Sequence, residues 1–318
     1  MARKPIALTM ICGVVALASA APASATFPGR NGRIAYATDD GISTVRPDGT
    51  DVRPLVAFPG ALDPAWSADG RRLAFAAPGD GGHLVIYVVR SDGSHLRQVS
   101  RPGVDRWHPS WAPGGNRLAV LGDAPPVDGQ NRGAVIVLKV ANGHERRVAD
   151  AGAGRNFGDA EWSPDGGAIA FTDTDIFLVS PEGGTPVQIT HEPGDFEEER
   201  PDGTIVHHFG HSVQELSWAP RGRRLAFSDL VNCPCDDAIS LAVIKRDGSG
   251  RRDIPSDQTE RAPAWAPDGS AIDFCGYNPY ITEPSLWTMR PDGTGQHEVL
   301  TGAGCRGDWQ AIPPKRRQ

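Results

Sequence analysis

Short apolar segments separated by polar turns recur along most of the chain. In a typical copy, Trp162 to Phe171, a tryptophan precedes a Pro-Asp-Gly turn and an Ile-Ala-Phe segment follows it. The turn supplies a proline with a preset φ and a glycine that is free to take a positive φ, while the flanking apolar residues suit paired strands. The pattern therefore predicts a β-hairpin in each copy.

Six tryptophans occupy the same place in the pattern: Trp66, Trp111, Trp162, Trp218, Trp265 and Trp309. Their spacings of 45, 51, 56, 47 and 44 residues match the period of a four-stranded propeller blade. A second turn, such as Arg90-Ser-Asp-Gly93, recurs later in most copies and separates two further apolar segments. Each period therefore predicts four antiparallel strands, with its tryptophan packed between blades.

The two ends of the chain carry complementary halves of one repeat. Asn31–Tyr36 has the back half without its tryptophan strand, and Gly307–Pro313 has the tryptophan strand without the back half. Joining them completes a blade and closes the ring, which removes its open edges. The prediction is an all-β chain, a single six-bladed β-propeller over residues 26–318.

The first 25 residues have the features of a secretory signal. Arg3 and Lys4 precede an apolar run from Pro5 to Ala23, and Ala23-Ser-Ala25 has the form of a signal-peptidase site. An uncleaved anchor is the alternative, but the run is short for a membrane span. We expect cleavage after Ala25, no membrane insertion afterwards, and a secreted, periplasmic or cell-envelope location.

Composition and charge indicate which classes of partner the chain is expected to bind. The 38 glycines and 28 prolines suit a chain that turns often between short strands. Removing Arg3 and Lys4 with the signal leaves 30 basic residues against 39 acidic ones. A negative surface repels phosphate backbones and anionic headgroups, so neither nucleic acid nor a membrane surface is an expected partner. We expect a monomer.

The Trp-Ser-Pro-Asp-Gly-x-x-Ile-Ala-Phe pattern, with its later Asp-Gly turn, resembles the WD-type repeat of TolB-like propellers. The resemblance covers essentially the whole mature chain and implies a six-bladed propeller. The N-terminal α/β domain of TolB is expected to be missing, because about six residues separate Ala25 from the first blade. Some serine peptidases carry the same repeat, but the chain has no G-x-S-x-G motif.

One position of the repeat is a candidate binding ring. Three residues before each tryptophan, the copies have Asp63, His108, Asp159, Glu215, Ala262 and Arg306. These residues are predicted to surround the channel mouth, where three carboxylates and an imidazole could hold a hard cation or a basic group and Arg306 could face an anion. Solvated rim charges are the alternative. Trp107, next to His108, is the aromatic candidate for ligand contact.

The longest insertion separates the fourth and fifth blades and is predicted to emerge on the face of the ring. It contains the following candidate interaction residues: His191, Asp195, Glu197, Glu198, Glu199, His207, His208 and His211. Long loops on rigid scaffolds commonly carry recognition. The simpler interpretation is a solvated acidic loop. The histidines also lack the rigid helix that makes a histidine pair a dependable zinc site.

Four cysteines remain after signal removal: Cys233, Cys235, Cys275 and Cys305. An even number in an exported chain favours disulfides. Cys275 with Cys305 is the preferred pair, which leaves Cys233 with Cys235 as a small ring or a bond to the neighbouring blade. A Cys-x-Cys redox or zinc site is the alternative.

These features favour a non-catalytic protein- or ligand-binding module of the cell envelope, with an envelope protein, a peptide or a small ligand as partner. The alternative is a metal-assisted glycoside hydrolase or lyase that uses the carboxylates and histidine at the channel mouth. A purely structural propeller is a third reading. No cofactor is predicted apart from a divalent cation in the enzyme alternative.

Overall fold

Six four-stranded antiparallel sheets form the molecule in a computed structural model. It describes residues 27–152, 154–191, 196–199, 205–208, 211–231, 238–255, 259–277, 284–303 and 306–314. The helical turn Asp80–Gly82 is the only helix in these ranges. None of the helical structure described there has the length and apolar character that a membrane span requires.

The blades follow the chain in order from the second to the sixth. Blade 2 has β4 (Leu62–Trp66), β5 (Arg72–Pro78), β6 (Leu84–Arg90) and β7 (Arg97–Gln98). Blade 3 has β8 (Arg106–Trp111), β9 (Arg117–Val127), β10 (Gln130–Lys139) and β11 (Glu145–Asp150). Blade 4 has β12 (Ala160–Trp162), β13 (Ile169–Asp173), β14 (Asp175–Val179) and β15 (Val187–Gln188).

Two further blades follow an inserted hairpin. The hairpin consists of β16 (Phe196–Glu199) and β17 (Ile205–His208), which pair with each other. Blade 5 has β18 (His211–Trp218), β19 (Arg224–Val231), β20 (Ala238–Lys245) and β21 (Arg252–Ile254). Blade 6 has β22 (Thr259–Trp265), β23 (Ile272–Tyr277), β24 (Ser285–Met289) and β25 (His297–Thr301).

Both chain ends build blade 1, as the split repeat predicts. Its strands are β1 (Arg30–Thr38), β2 (Gly41–Val45), β3 (Arg53–Ala57) and the last strand of the chain, β26 (Asp308–Ile312). β26 pairs antiparallel with β1, with Ile34 opposite Trp309. The first strand of each sheet contacts the first strand of the next in a closed cycle, from β26 through β4, β8, β12, β18 and β22 back to β26. The six-bladed ring is therefore confirmed.

The repeated tryptophans are buried between neighbouring blades. The Trp111 indole donates a hydrogen bond to the carbonyl oxygen of Ala65, one blade earlier, at 3.0 Å. Arg72 of blade 2 stacks over the Trp111 ring at 4.6 Å, and Arg117 of blade 3 stacks over Trp162 at 4.9 Å. Each such contact joins two blades by apolar burial and a cation–π interaction.

Side chains directly before the tryptophans also join the innermost strands. The backbone amides of Trp66, Trp162 and Trp265 donate hydrogen bonds to Asp308, Ser110 and Ser217, respectively, at 2.5, 3.0 and 3.2 Å. Each acceptor belongs to the preceding blade. These bonds link blade 1 to 2, 3 to 4 and 5 to 6, so the channel wall is held together by polar contacts as well as by apolar packing.

Candidate functional site

The predicted ring position coincides with a recurring irregularity of the innermost strands. Strands β4, β8, β18 and β22 each shift register just before their tryptophan. Positive φ angles of 52°, 47°, 53° and 80° occur at Asp63, His108, Ala262 and Arg306. Such angles are costly for residues other than glycine, and bulges re-aim side chains. The sequence position three before tryptophan is therefore a bulge position in the channel wall.

All six ring residues line one cavity at the channel mouth: Asp63, His108, Asp159, Glu215, Ala262 and Arg306. The cavity has a volume of about 70 Å³. Its lining also includes the residues directly before the tryptophans, among them Ser110, Glu161 and Asp308. The sequence thus predicted the outer layer of the lining, and the structure adds an inner one.

His108 lies between two carboxylates from the neighbouring blades. Its Nε2 is 3.2 Å from Asp63 Oδ2, and its Nδ1 is 3.7 Å from Asp159 Oδ1. The backbone amide of His108 also donates to Asp63 Oδ2 at 3.3 Å. Burial, followed by repulsion from Arg306, holds the pKa of His108 well below its usual value of 6.5. The imidazole is therefore neutral at physiological pH.

Arg306 reaches across the channel mouth from blade 1. Its Nη1 is 3.6 Å from Asp159 Oδ1 on blade 4, which stands opposite in the ring, and its Nε is 3.7 Å from Asp63 Oδ1. Among the described residues the guanidinium makes these long ion-pair contacts and no hydrogen bond. Arg306 is thus a cation that lies between carboxylates without the bidentate geometry of a tight pair.

The inner layer consists of carboxyl groups and hydroxyls. Ser110 Oγ donates to Glu161 Oε2 at 2.8 Å. Burial, followed by the charge of Asp159, raises the pKa of Glu161 well above its usual range. Burial also raises the pKa of Asp308 to about 7. These carboxyl groups therefore retain protons at pH values where exposed ones are ionised.

Burial also shifts the pKa values of the ring aspartates. Burial raises the pKa of Asp63 and of Asp159, although Arg306 opposes the shift at both. The Asp159 carboxylate also accepts hydrogen bonds from the amides of Leu216 and Ala160, at 3.1 and 2.8 Å. The single guanidinium therefore does not offset the effect of burial, and the pKa values of both aspartates stay raised.

The described residues of the cavity do not form a cluster of metal ligands. Across the described residues, no group of three histidine, cysteine, aspartate or glutamate side chains is arranged so that it could hold a metal ion. Arg306 instead lies within 3.7 Å of both Asp63 and Asp159. A divalent ion between these two aspartates would lie beside a guanidinium, which opposes its binding.

Trp107, the aromatic candidate, is half-buried and packs against the hydrophobic core. It pairs with Leu121 in the sheet of blade 3 and does not belong to the lining of the cavity. A role in ligand contact for Trp107 therefore stays a prediction for the rim outside the cavity.

The insertion between blades 4 and 5 is partly described. His191 is exposed, and Asp195 lies outside the described residues. The backbone of Glu197, Glu198 and Glu199 pairs with that of Ile205–His208, which includes His207 and His208, so the expected loop contains a two-stranded hairpin. His211 begins β18, and its Nδ1 is 2.9 Å from the buried Asp229 Oδ2. An interaction role for this segment remains a prediction.

Of the four cysteines, Cys275 is described and its side chain is buried on β23. Cys233, Cys235 and Cys305 lie outside the described residues. The predicted pairing of Cys275 with Cys305 and of Cys233 with Cys235 therefore stays a prediction.

Comparison with known proteins gives distant relatives. No protein-family model matches the chain. An uncharacterized protein, Atu1656 of Agrobacterium fabrum, is 25% identical over 230 residues, which is 68% of this chain and 70% of that protein. An uncharacterized peptidase, YuxL of Bacillus subtilis, is 26% identical over 150 residues, or 36% of this chain. That match covers only 22% of the peptidase.

Solved structures with the same fold include two described as TolB. TolB from Acinetobacter baumannii superposes with a TM-score of 0.67 at 17% identity, over 88% of this chain and 67% of that one. A protein described as TolB from Agrobacterium tumefaciens gives 0.60 at 18% identity, over 89% and 93%. An oligogalacturonate lyase in complex with manganese gives 0.53 at 13% identity, over 82% and 70%. The chain has the six-bladed propeller fold of TolB proteins.

Proposed function

We propose that this chain is an exported, non-catalytic binding module of the cell envelope that binds a protein or small ligand at its channel mouth. The observation that carries the proposal is the convergence of Asp63, His108, Asp159, Glu215 and Arg306 from five blades on one buried cavity. Concave sites with a few convergent polar groups on a rigid scaffold are typical of ligand binding. The predicted signal over residues 1–25 supports export.

Capture from a cell-envelope extract tests this function. The wild-type chain, a variant carrying Asp159→Asn and Glu215→Gln, and a control carrying Asp123→Asn are each cross-linked in the same extract. Asp123 is an exposed aspartate outside the cavity lining. We expect one partner to be recovered with the wild type and the control and to be lost with the cavity variant. Equal recovery by all three proteins would refute a channel-mouth site.

A metal-assisted glycoside hydrolase or lyase is the second candidate. The similarity to the lyase in complex with manganese favours it, together with the carboxylates and histidine at the channel mouth. Asp63, His108, Asp159 and Glu215 would then be the working groups. Elemental analysis of the purified protein decides between the two: a stoichiometric divalent ion supports the enzyme, whereas no ion and unchanged melting with added metals support the binding module.

A further inference from the structure

A buried carboxylate oxygen in the cavity has no donor. Glu215 Oε2 has no hydrogen-bond partner among the described residues, although the atom is buried. In the same lining, His108 has one ring nitrogen 3.2 Å from Asp63 Oδ2 and the other 3.7 Å from Asp159 Oδ1. An unpaired buried acceptor is costly, so the site requires a hydrogen-bond donor that the described residues do not supply.

The charges of the lining point to the same requirement. Five carboxyl groups face the cavity, and among the described residues Arg306 is the only guanidinium or ammonium group in its lining. The carboxyl groups are Asp63, Asp159, Glu161, Glu215 and Asp308. A cation that enters the cavity is attracted to the carboxyl groups that are ionised and favours ionisation of the others, whereas an anion is repelled. A donor-rich cation meets both requirements at once.

The size of the cavity suits the end of a side chain. At roughly 10–15 Å³ per water position, a cavity of about 70 Å³ holds on the order of five water molecules. An ammonium or guanidinium group with its last methylenes displaces a comparable number. Arg306 already shows that a guanidinium can lie between Asp63 and Asp159, at 3.7 and 3.6 Å.

From these observations we propose that the channel mouth recognises the cationic end of a ligand, an ammonium or guanidinium group such as that of a lysine or arginine side chain. The ligand group occupies the place of the Arg306 guanidinium and donates hydrogen bonds to Asp159 and Glu215. Arg306 is then an internal competitor that leaves the carboxylates when the ligand enters. This inference rests on the proposed binding function and gives the chemical class of its ligand.

Blocked amino acids serve as probes. N-acetyl-lysine methylamide and its arginine counterpart are titrated against the full mature chain, and binding is followed through the imidazole signals of His108 by NMR. The norleucine counterpart is the uncharged control, the glutamate counterpart tests anion binding, and manganese chloride tests metal binding. We expect saturation by the lysine or arginine probe with a dissociation constant on the order of 1 mM.

Substitutions test separately whether the carboxylates attract the ligand and whether the ligand displaces Arg306. Asp159→Asn and Glu215→Gln each remove one negative charge and are expected to weaken lysine binding at least about tenfold. Arg306→Gln removes the internal competitor and is expected to strengthen it about tenfold. Arg101→Gln, at an exposed arginine outside the lining, is the matched control and is expected to have no effect.

The outcomes distinguish this inference from the proposed function. Saturable binding of glutamate or manganese in place of lysine and arginine overturns the cation proposal. If Arg306→Gln weakens lysine binding, the proposal that the ligand displaces the Arg306 guanidinium is wrong. If no probe binds while the envelope partner is still lost with the cavity variant, the ligand class is wrong and the binding function stands. If Asp159→Asn fails to fold, Glu215→Gln on its own still tests the charge requirement.

Discussion

The Trp309 indole Nε1 donates a hydrogen bond to the buried Asp273 Oδ1 at 2.9 Å and thereby joins the last strand of the chain to blade 6. At the position of Asp273 all five other blades have alanine: Ala35, Ala74, Ala119, Ala170 and Ala226. Gly307 faces Asp273 Oδ2, and a Cβ there would collide with it. The indoles of Trp111 and Trp218 donate instead to backbone carbonyl oxygens of the preceding blade, so the indole–carboxylate hydrogen bond distinguishes the junction of blades 6 and 1, where the ring closes.

This contact predicts energetic coupling across the closure. We expect Trp309→Phe and Asp273→Ala, combined in a double-mutant cycle, to give a coupling energy of about 1 kcal/mol, because either change removes the same hydrogen bond. Denaturant unfolding of the four proteins at one pH measures it. Additive losses of stability would show that the bond does not hold the closure.

The raised pKa of Asp308 predicts how the free energy of unfolding depends on pH. Burial raises its pKa from 3.8 to about 7, so the folded state holds a proton that the unfolded state releases. The contribution of this group to the free energy of unfolding therefore falls as pH rises from about 4 to about 7, and it is constant above that range.

Replacing Asp308 by asparagine keeps an acceptor for the Trp66 amide and removes the titration. We expect Asp308→Asn to lose stability less steeply than the wild type between pH 4 and 7, measured by denaturant unfolding at several pH values. Asp123→Asn is the matched control. A wild-type pH profile in the Asp308→Asn variant would contradict the raised pKa.

The Ser110 hydroxyl connects two groups of the channel wall. Its hydroxyl accepts from the Trp162 amide at 3.0 Å and donates to Glu161 at 2.8 Å. Ser110→Ala leaves both buried partners unsatisfied and should lower the free energy of unfolding by about 1–3 kcal/mol. Ser91→Ala, at an exposed turn serine, should change it by less than about 0.5 kcal/mol. Equal effects of the two changes would argue against the inter-blade bond.

The hairpin of β16 and β17 pairs only with itself among the described strands. Replacing residues 192–210 by a short Gly-Ser linker should therefore leave the melting temperature within a few degrees of the wild type, because no blade loses a strand. Calorimetry checks this. A large drop in the melting temperature would show that the hairpin stabilises the ring. If the melting temperature is unchanged, the deletion variant can be used to test the predicted interaction role of this segment.

Much of the fold follows from the sequence because each blade repeats its own local signals. The tryptophan, the Pro-Asp-Gly turn and the apolar segment after it, as in Trp162 to Phe171, specify strand, turn and strand within about ten residues. The split repeat also predicts how β26 completes blade 1. The hairpin after His191 was not predicted, because its strands are rich in charge and lack the repeat.

The sequence predicts only the outer layer of the site. Asp63, His108 and Asp159 are recognisable because they share one repeat position. Glu161 and Asp308 share another, directly before the tryptophan, and this repeat position is the sequence signal for the inner layer. The reach of Arg306 across the channel to Asp159 depends on ring geometry and on a bulge, neither of which a linear repeat can show.

Photo-cross-linking tests the location of binding most directly. Benzoylphenylalanine is placed at Arg261, an exposed residue next to Ala262 of the cavity lining, and separately at Val187, which is 62% exposed on the outer strand of blade 4. The two proteins are irradiated in the same envelope extract. A channel-mouth site predicts a cross-linked partner or ligand at position 261 and none at position 187. Cross-links at position 187 and none at position 261 would contradict it.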